Sequence, residues 1–217
     1  MAEFIPIFRR RLQSPLFYAG LLLLSLYARY LYLYLYIDFV PQYLLWYSSL
    51  GLLLLGVALV TKNELLSSIA FCSLFAIEGF WLINFILAFF DLSIGNKSYS
   101  FMPGSPNFDP LGSVYHIFLA PLSLFSILQI KKIYKSAWVY STLGSFTIGI
   151  LTYIYASNME QENINCLFQS CEPLFTSVYQ IPNPTRIIVS TILLSLIIFL
   201  PSNLVLIYIK NKLKFIE

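Results

Sequence analysis

The sequence predicts an all-α polytopic transmembrane bundle of about six helices, with both termini on the cytoplasmic side. Three observations carry this: an apolar composition, six apolar runs near spanning length, and basic residues gathered on one side of those runs. Of the 217 residues, 59% are hydrophobic and 11% charged. Soluble domains hold about 45–50% apolar and about 25% charged residues, and one core in a chain this short could not hide the excess. The formal net charge is +3, but the basic residues flank the apolar runs instead of forming a patch of their own. Nucleic acid is therefore not an expected partner; membrane lipids are.

A helical span needs about 20 mostly apolar residues to cross a hydrocarbon core of about 30 Å. The approximate spans are 16–37, 42–60, 65–90, 114–130, 137–156 and 187–209, the fourth being the shortest. Helices are the required form, because an open strand would leave backbone groups unpaired in lipid. Residues 30–36 alternate Tyr and Leu as a strand would. They continue an apolar run too long for a strand, so the helical reading prevails.

Orientation follows from the short connections. Arg9, Arg10, Arg11, Lys62, Lys131, Lys132, Lys135, Lys210, Lys212 and Lys214 fall on one side, against Lys97 and Arg186 on the other. The basic side is the cytoplasmic one. The Arg9–Arg11 run lacks a small-residue cleavage site after the apolar stretch that follows it, so the first span is expected to act as the export signal. The whole chain, 1–217, reads as one integral membrane domain with outer loops at about 91–113 and 157–186. Loops of this length often carry function.

Cys166 and Cys171 lie five apart in the second outer loop and are expected to form a local disulfide, as an oxidising compartment permits. Lacking a nearby histidine or further cysteine, they do not make a metal site. No cofactor motif is present. Cys72, inside the third span, reads as a packing residue. Asn96-Lys97-Ser98 matches a glycosylation sequon, a pattern common by chance.

Ionisable residues inside spans are functional candidates by default. Arg29, Glu78 and His116, the only histidine, stand out. At about 1.5 Å rise per residue, Arg29 and Glu78 both fall about 20 Å from the inner end of their helices. Matching depth suggests an intramembrane Arg29–Glu78 ion pair; the alternative is that Arg29 snorkels to the outer interface while Glu78 is protonated or bonded to a backbone carbonyl. His116 opens the fourth span about 5 Å from the outer interface. Asn84, near the outer end of the third span, and Glu162, Asn163 and Asn165 in the second outer loop complete an outward-facing polar cluster. The plainer alternative is a capped helix end with an interfacial histidine. In the sixth span Pro201 frees a carbonyl for Ser202 or Asn203 to satisfy, a structural kink. Tyr30, Tyr32, Tyr34 and Tyr36 read first as headgroup-level anchors. Gly144, Ser145 and Gly149 are the small residues expected at helix contacts.

Four segments, Trp-Leu-Ile-Asn-Phe (81–85), His-Ile-Phe-Leu-Ala-Pro (116–121), Glu-Asn-Ile-Asn-Cys-Leu-Phe (162–168) and Leu-Pro-Ser-Asn-Leu (200–204), resemble a family of uncharacterised bacterial six-span integral membrane proteins. The resemblance covers roughly residues 78–209. It implies a multi-pass protein of the bacterial inner membrane and no defined activity. The family pattern has Asp where Asn84 stands and Thr-His where Ser202-Asn203 stands, so a two-histidine site does not carry over. A weaker similarity, through His116 and Pro121, is to membrane threonine hydrolases of fatty-acid esters. There His116 would be the general base and Cys72, Ser67 or Ser68 the nucleophile, although depth along the helix separates them. The function expected is thus a membrane protein with an outward polar pocket for a lipid headgroup or a partner subunit. The alternative is a membrane-embedded lipid hydrolase or acyltransferase with His116 as its candidate catalytic residue.

Overall fold

A computed structural model describes residues 14–88, 90, 92, 110–156 and 185–213. Helix α1 (Pro15–Tyr32) starts with Pro at its first position, where the missing N–H costs nothing and φ is already helical. It runs on through one π-helical turn, Leu33–Ile37. The Tyr/Leu alternation is thus wound as helix, as the length of the run required. Phe39 then takes φ 54°, a left-handed conformation uncommon for a non-glycine residue, and Val40 N–H closes the turn on the Tyr34 carbonyl at 2.9 Å.

A short 3-10 helix, Pro41–Leu45, precedes α2 (Tyr47–Thr61). The second span therefore starts as 3-10 helix, and its α-helical part begins only after Trp46, at ψ 135°. The 15 residues of α2 cover about 22 Å, short of the hydrocarbon core of about 30 Å. Lys62, at φ 53°, ends α2 in the left-handed region. Asn63 Oδ1 then accepts the Leu66 N–H at 3.0 Å and caps α3 (Glu64–Ala88). Glu64 in the first turn of α3 favours the positive end of the helix dipole.

Next come α4 (Pro110–Gln129), α5 (Ala137–Ala156), α6 (Thr185–Leu194), a π-helical turn Ser195–Phe199, and α7 (Leu200–Leu213). The last three form one continuous rod. The wide turn falls directly before Pro201, whose ring and missing N–H disrupt a regular ladder, and π turns commonly absorb such faults.

Four of these segments are long and apolar enough to cross a membrane: Pro15–Ile37, Glu64–Leu87, Ala137–Tyr155 and Thr185–Lys212. Tyr47–Thr61 and Tyr115–Gln129 are shorter apolar helices. No strand occurs among the described residues.

Helix α3 is the hub, packing most extensively on α4 and also on α2, α5 and α7, while α1 leans mainly on α2. The α1–α2 crossing is close because Gly20 and Gly56 face each other. A Cβ on Gly20 would sit 2.9 Å from Leu59 Cβ and 3.0 Å from the Gly56 carbonyl. This is the small-residue contact by which helices approach in lipid. One core cluster joins Leu23, Leu52, Leu55, Leu59, Leu74, Tyr115 and Leu119 across α1 to α4. A second joins Phe71, Cys72, Ile127 and Leu206 across α3, α4 and α7. Large apolar side chains such as Leu22, Leu143, Leu196 and Leu204 point outward on the bundle's perimeter, as lipid-facing positions should. Of the small residues expected at contacts, Gly149 meets Ile187 of α6 and Ser145 is buried, whereas Gly144 has nothing within 4 Å of a would-be Cβ.

Candidate functional site

The two bundle ends differ. At the end carrying Lys131 and Lys132, side chains from several helices hold the α4–α5 turn. Toward the opposite end, α3 and α4 bring Glu78 and His116 together. Glu78 Oε2 lies 2.8 Å from His116 Nδ1, with both residues buried. With the carboxylate ionised, the imidazole donates its Nδ1–H. An isolated charge near the centre of a spanning helix costs about 2.5–3.5 kcal/mol, and a hydrogen bond to a charged group returns about 1.5–3 kcal/mol. Pairing therefore offsets most of that penalty.

The contact that the structure gives Glu78 is thus with His116, and an Arg29–Glu78 ion pair is not among those of the described residues. Helix neighbours explain this. Glu78 faces α4, whereas Arg29 belongs to α1, which packs on α2. The Arg29 guanidinium carbon lies 5.5 Å from the Tyr30 ring centroid. Helix α4 begins at Pro110, so His116 is about 9 Å from that helix end.

The imidazole is sandwiched between Trp81 at 4.6 Å, centroid to centroid, and Tyr115 at 4.3 Å, each tilted 25°. The stack continues in both directions. Trp81 lies 5.1 Å from Phe85, while Tyr115 meets Tyr30 at 6.0 Å, Tyr30 stacks on Tyr34, and Tyr34 meets Tyr43 edge-on. This column of seven rings crosses α3, α4, α1 and the 3-10 turn. Such pairs contribute about 0.5–1.5 kcal/mol each beyond burial. Tyr30 is therefore a core residue with Tyr34 half-buried against it, whereas Tyr32 and Tyr36 stack on each other at the exposed surface. A spacing of four residues puts each pair on one helix face. Tyr115 is fixed further by donating its hydroxyl to Ser48 Oγ at 3.0 Å.

Asn84 is buried on α3, three residues beyond Trp81 and so on its face. The structure thus gathers Glu78, Trp81 and His116 on the α3–α4 seam, with Asn84 buried one turn further along α3. Glu162, Asn163 and Asn165, and the Cys166–Cys171 pair expected as a disulfide, lie outside the described residues. Cys72 is the free, buried cysteine of the described chain, so nothing here supports a disulfide. Its thiol donates to Asn203 Oδ1 at 3.6 Å, and Asn203 Nδ2 donates to the Lys135 carbonyl at 2.9 Å. Asn203 therefore ties α7 to α3 and the α4–α5 turn, and does not serve the carbonyl freed by Pro201.

Ser68 Oγ donates to the Glu64 carbonyl at 2.8 Å and accepts the Tyr134 N–H. Cys72 is six residues from Glu78, about 9 Å along α3, and Ser67 and Ser68 are about 15 Å or more away. None of the three reaches His116. Among the described residues no cluster of His, Cys, Asp or Glu could hold a metal ion.

A cavity of about 220 Å³ lies between α2, α3 and α5, bounded by Tyr47, Gly51, Leu54, Ser73, Tyr140 and Gly144. Its buried hydroxyls pair with one another, Ser73 with Ser141 at 2.9 Å and Tyr47 with Ser145. The space suits hydrocarbon rather than a polar group.

Comparison with family models, curated proteins and solved structures returns no match. The site is accordingly argued from its chemistry alone. Sequence depth pointed to Glu78 and His116 separately. Trp81, Tyr115 and Ser48 were not among the expected site residues, because the pattern that selects charged groups at membrane depth passes over aromatic and hydroxyl groups.

Proposed function

We propose that the chain is a six-span membrane protein of the bacterial inner membrane, both termini cytoplasmic, that binds a lipid headgroup at the Glu78–His116 pair. The observation that carries this reading is the pair itself, a carboxylate and an imidazole in contact within a helix seam. Burying two ionisable groups is costly unless a function retains them, and apolar residues of similar volume would fold as well. The resemblance to uncharacterised bacterial six-span proteins and the one-sided basic residues support the topology. The two shorter helices complete the six spans, one lengthened by the 3-10 turn. On this topology the seam lies in the outer half of the membrane. The headgroup would reach Asn84 and His116 from the outer face, where Glu162, Asn163 and Asn165 also belong. A partner subunit presenting a polar group is the other occupant of this class.

The test is the lipid content of the purified protein. Wild type, Glu78→Gln and His116→Ala are purified in mild detergent and their bound lipids quantified. The reading predicts one lipid class enriched in wild type and depleted in both variants. Identical lipid profiles would sink it.

A second reading, a lipid hydrolase or acyltransferase, is favoured by one feature. A carboxylate holding Nδ1 of an imidazole is the orienter–base half of an activated-nucleophile site. Covalent labelling by a serine- or cysteine-directed lipid probe, abolished by His116→Ala, would establish it. Absence of labelling in wild type would remove it.

A further inference from the structure

The turn joining α4 to α5 is held by side chains of two other helices. Lys210 Nζ on α7 donates to the Ile130 carbonyl at 2.5 Å. On α3, Glu64 Oε1 accepts the Lys132 N–H at 3.0 Å and Ser68 Oγ accepts the Tyr134 N–H at 3.2 Å. Asn203 of α7 takes the Lys135 carbonyl. A four-fold tether fixes a short segment that would otherwise be an ordinary mobile connection. What the tether presents is charge: Lys131, Lys132 and Lys135 are all exposed.

Other basic residues surround them. Lys210 reaches this turn directly, Lys212 lies two residues on, and Lys62 stands two residues before Glu64. Among the described residues, this end of the bundle thus carries six lysines and one carboxylate, Glu64. Two ammonium groups rest over tyrosine rings, Lys132 at 5.2 Å from Tyr134 and Lys212 at 5.9 Å from Tyr208. Tyrosine favours the headgroup level of a membrane, a level at which these cations would meet lipid phosphates.

We infer that the tethered α4–α5 turn, with Lys131, Lys132 and Lys135, is a docking site for anionic phospholipid headgroups of the leaflet it faces. Charge complementarity selects this occupant. Clustered lysines beside spanning helices attract anionic lipid with roughly additive strength per residue, while a zwitterionic headgroup gains little from the same cluster. The turn's rigidity distinguishes it from a generic basic loop, because bonding its backbone in advance removes the ordering cost of binding. This site is at the opposite end of the bundle from Glu78 and His116 and does not depend on them.

The experiment titrates the full-length protein in neutral detergent with phosphatidylglycerol, with phosphatidylcholine as control, and counts bound lipids by native mass spectrometry. Phosphatidylglycerol should bind selectively, and added salt should weaken it. The triple change Lys131→Ala, Lys132→Ala, Lys135→Ala should weaken it by on the order of a hundredfold, while the triple change to Arg should keep it. Ser68→Ala, which frees the Tyr134 N–H and leaves every lysine in place, should weaken it several-fold. Equal binding of the two lipids, or unchanged phosphatidylglycerol binding in the triple alanine variant, would overturn the inference. So would loss of binding in the arginine variant with its melting temperature unchanged.

Discussion

Glu78 on α3 and His116 on α4 meet at 2.8 Å inside the bundle, between two helices whose connection in sequence is 21 residues long (residues 89–109). The contact belongs to the most extensive helix seam among the described residues, and two aromatic rings, Trp81 and Tyr115, stack on the imidazole. A polar pair this well enclosed has measurable consequences.

Coupling between the two residues is the first. Glu78→Gln and His116→Ala each remove one partner and leave the other buried. Their combined effect should fall short of the sum by about 1–3 kcal/mol in a double-mutant cycle. Reversible unfolding in detergent micelles reads it. Additive losses would mean that the contact contributes no stability.

Asn203 makes the second. It bonds Cys72 and the Lys135 carbonyl at once, so Asn203→Ala leaves the buried Cys72 thiol and the half-buried Lys135 carbonyl without their partner. Destabilisation of about 1–3 kcal/mol is expected, measured by thermal unfolding. A loss near zero would show that water replaces the amide.

The glycines give a contrast on one scale. Gly20→Val drives side-chain atoms into Leu59 and the Gly56 backbone and should cost roughly 1–3 kcal/mol. Gly144→Ala meets nothing within 4 Å and should stay within about 0.5 kcal/mol of wild type. Equal melting shifts for the two would place the α1–α2 crossing wrongly.

Topology is tested by labelling. In a background with Cys72, Cys166 and Cys171 changed to Ser, Leu92→Cys should react with an impermeant maleimide on intact cells. Lys131→Cys should react only after lysis. The reverse pattern would invert the bundle.

The all-helical, apolar character of this fold was legible in the sequence, since helical winding of long apolar runs follows from the energetics of lipid. The helical winding of Tyr30 to Tyr36 is one case, and the apolar run at 137–156, which coincides with α5, is another. Pairing across helices was not legible. Rise per residue fixes how deep Arg29, Glu78 and His116 lie, but not which helices stand side by side. Arg29 and Glu78 matched in depth, yet α4 rather than α1 covers the Glu78 face of α3. Asn203 illustrates the same limit: its own helix predicted a local role for it, while tertiary packing gave it two partners on other elements.

The central claim, a polar binding site on the α3–α4 seam, is tested most directly by a high-resolution density map of the protein purified with its native lipids. The account predicts ordered density shaped as a headgroup, in contact with Asn84 and His116 and absent from His116→Ala. An empty seam in wild type, with Glu78 and His116 closed only on each other and their aromatic neighbours, would contradict it.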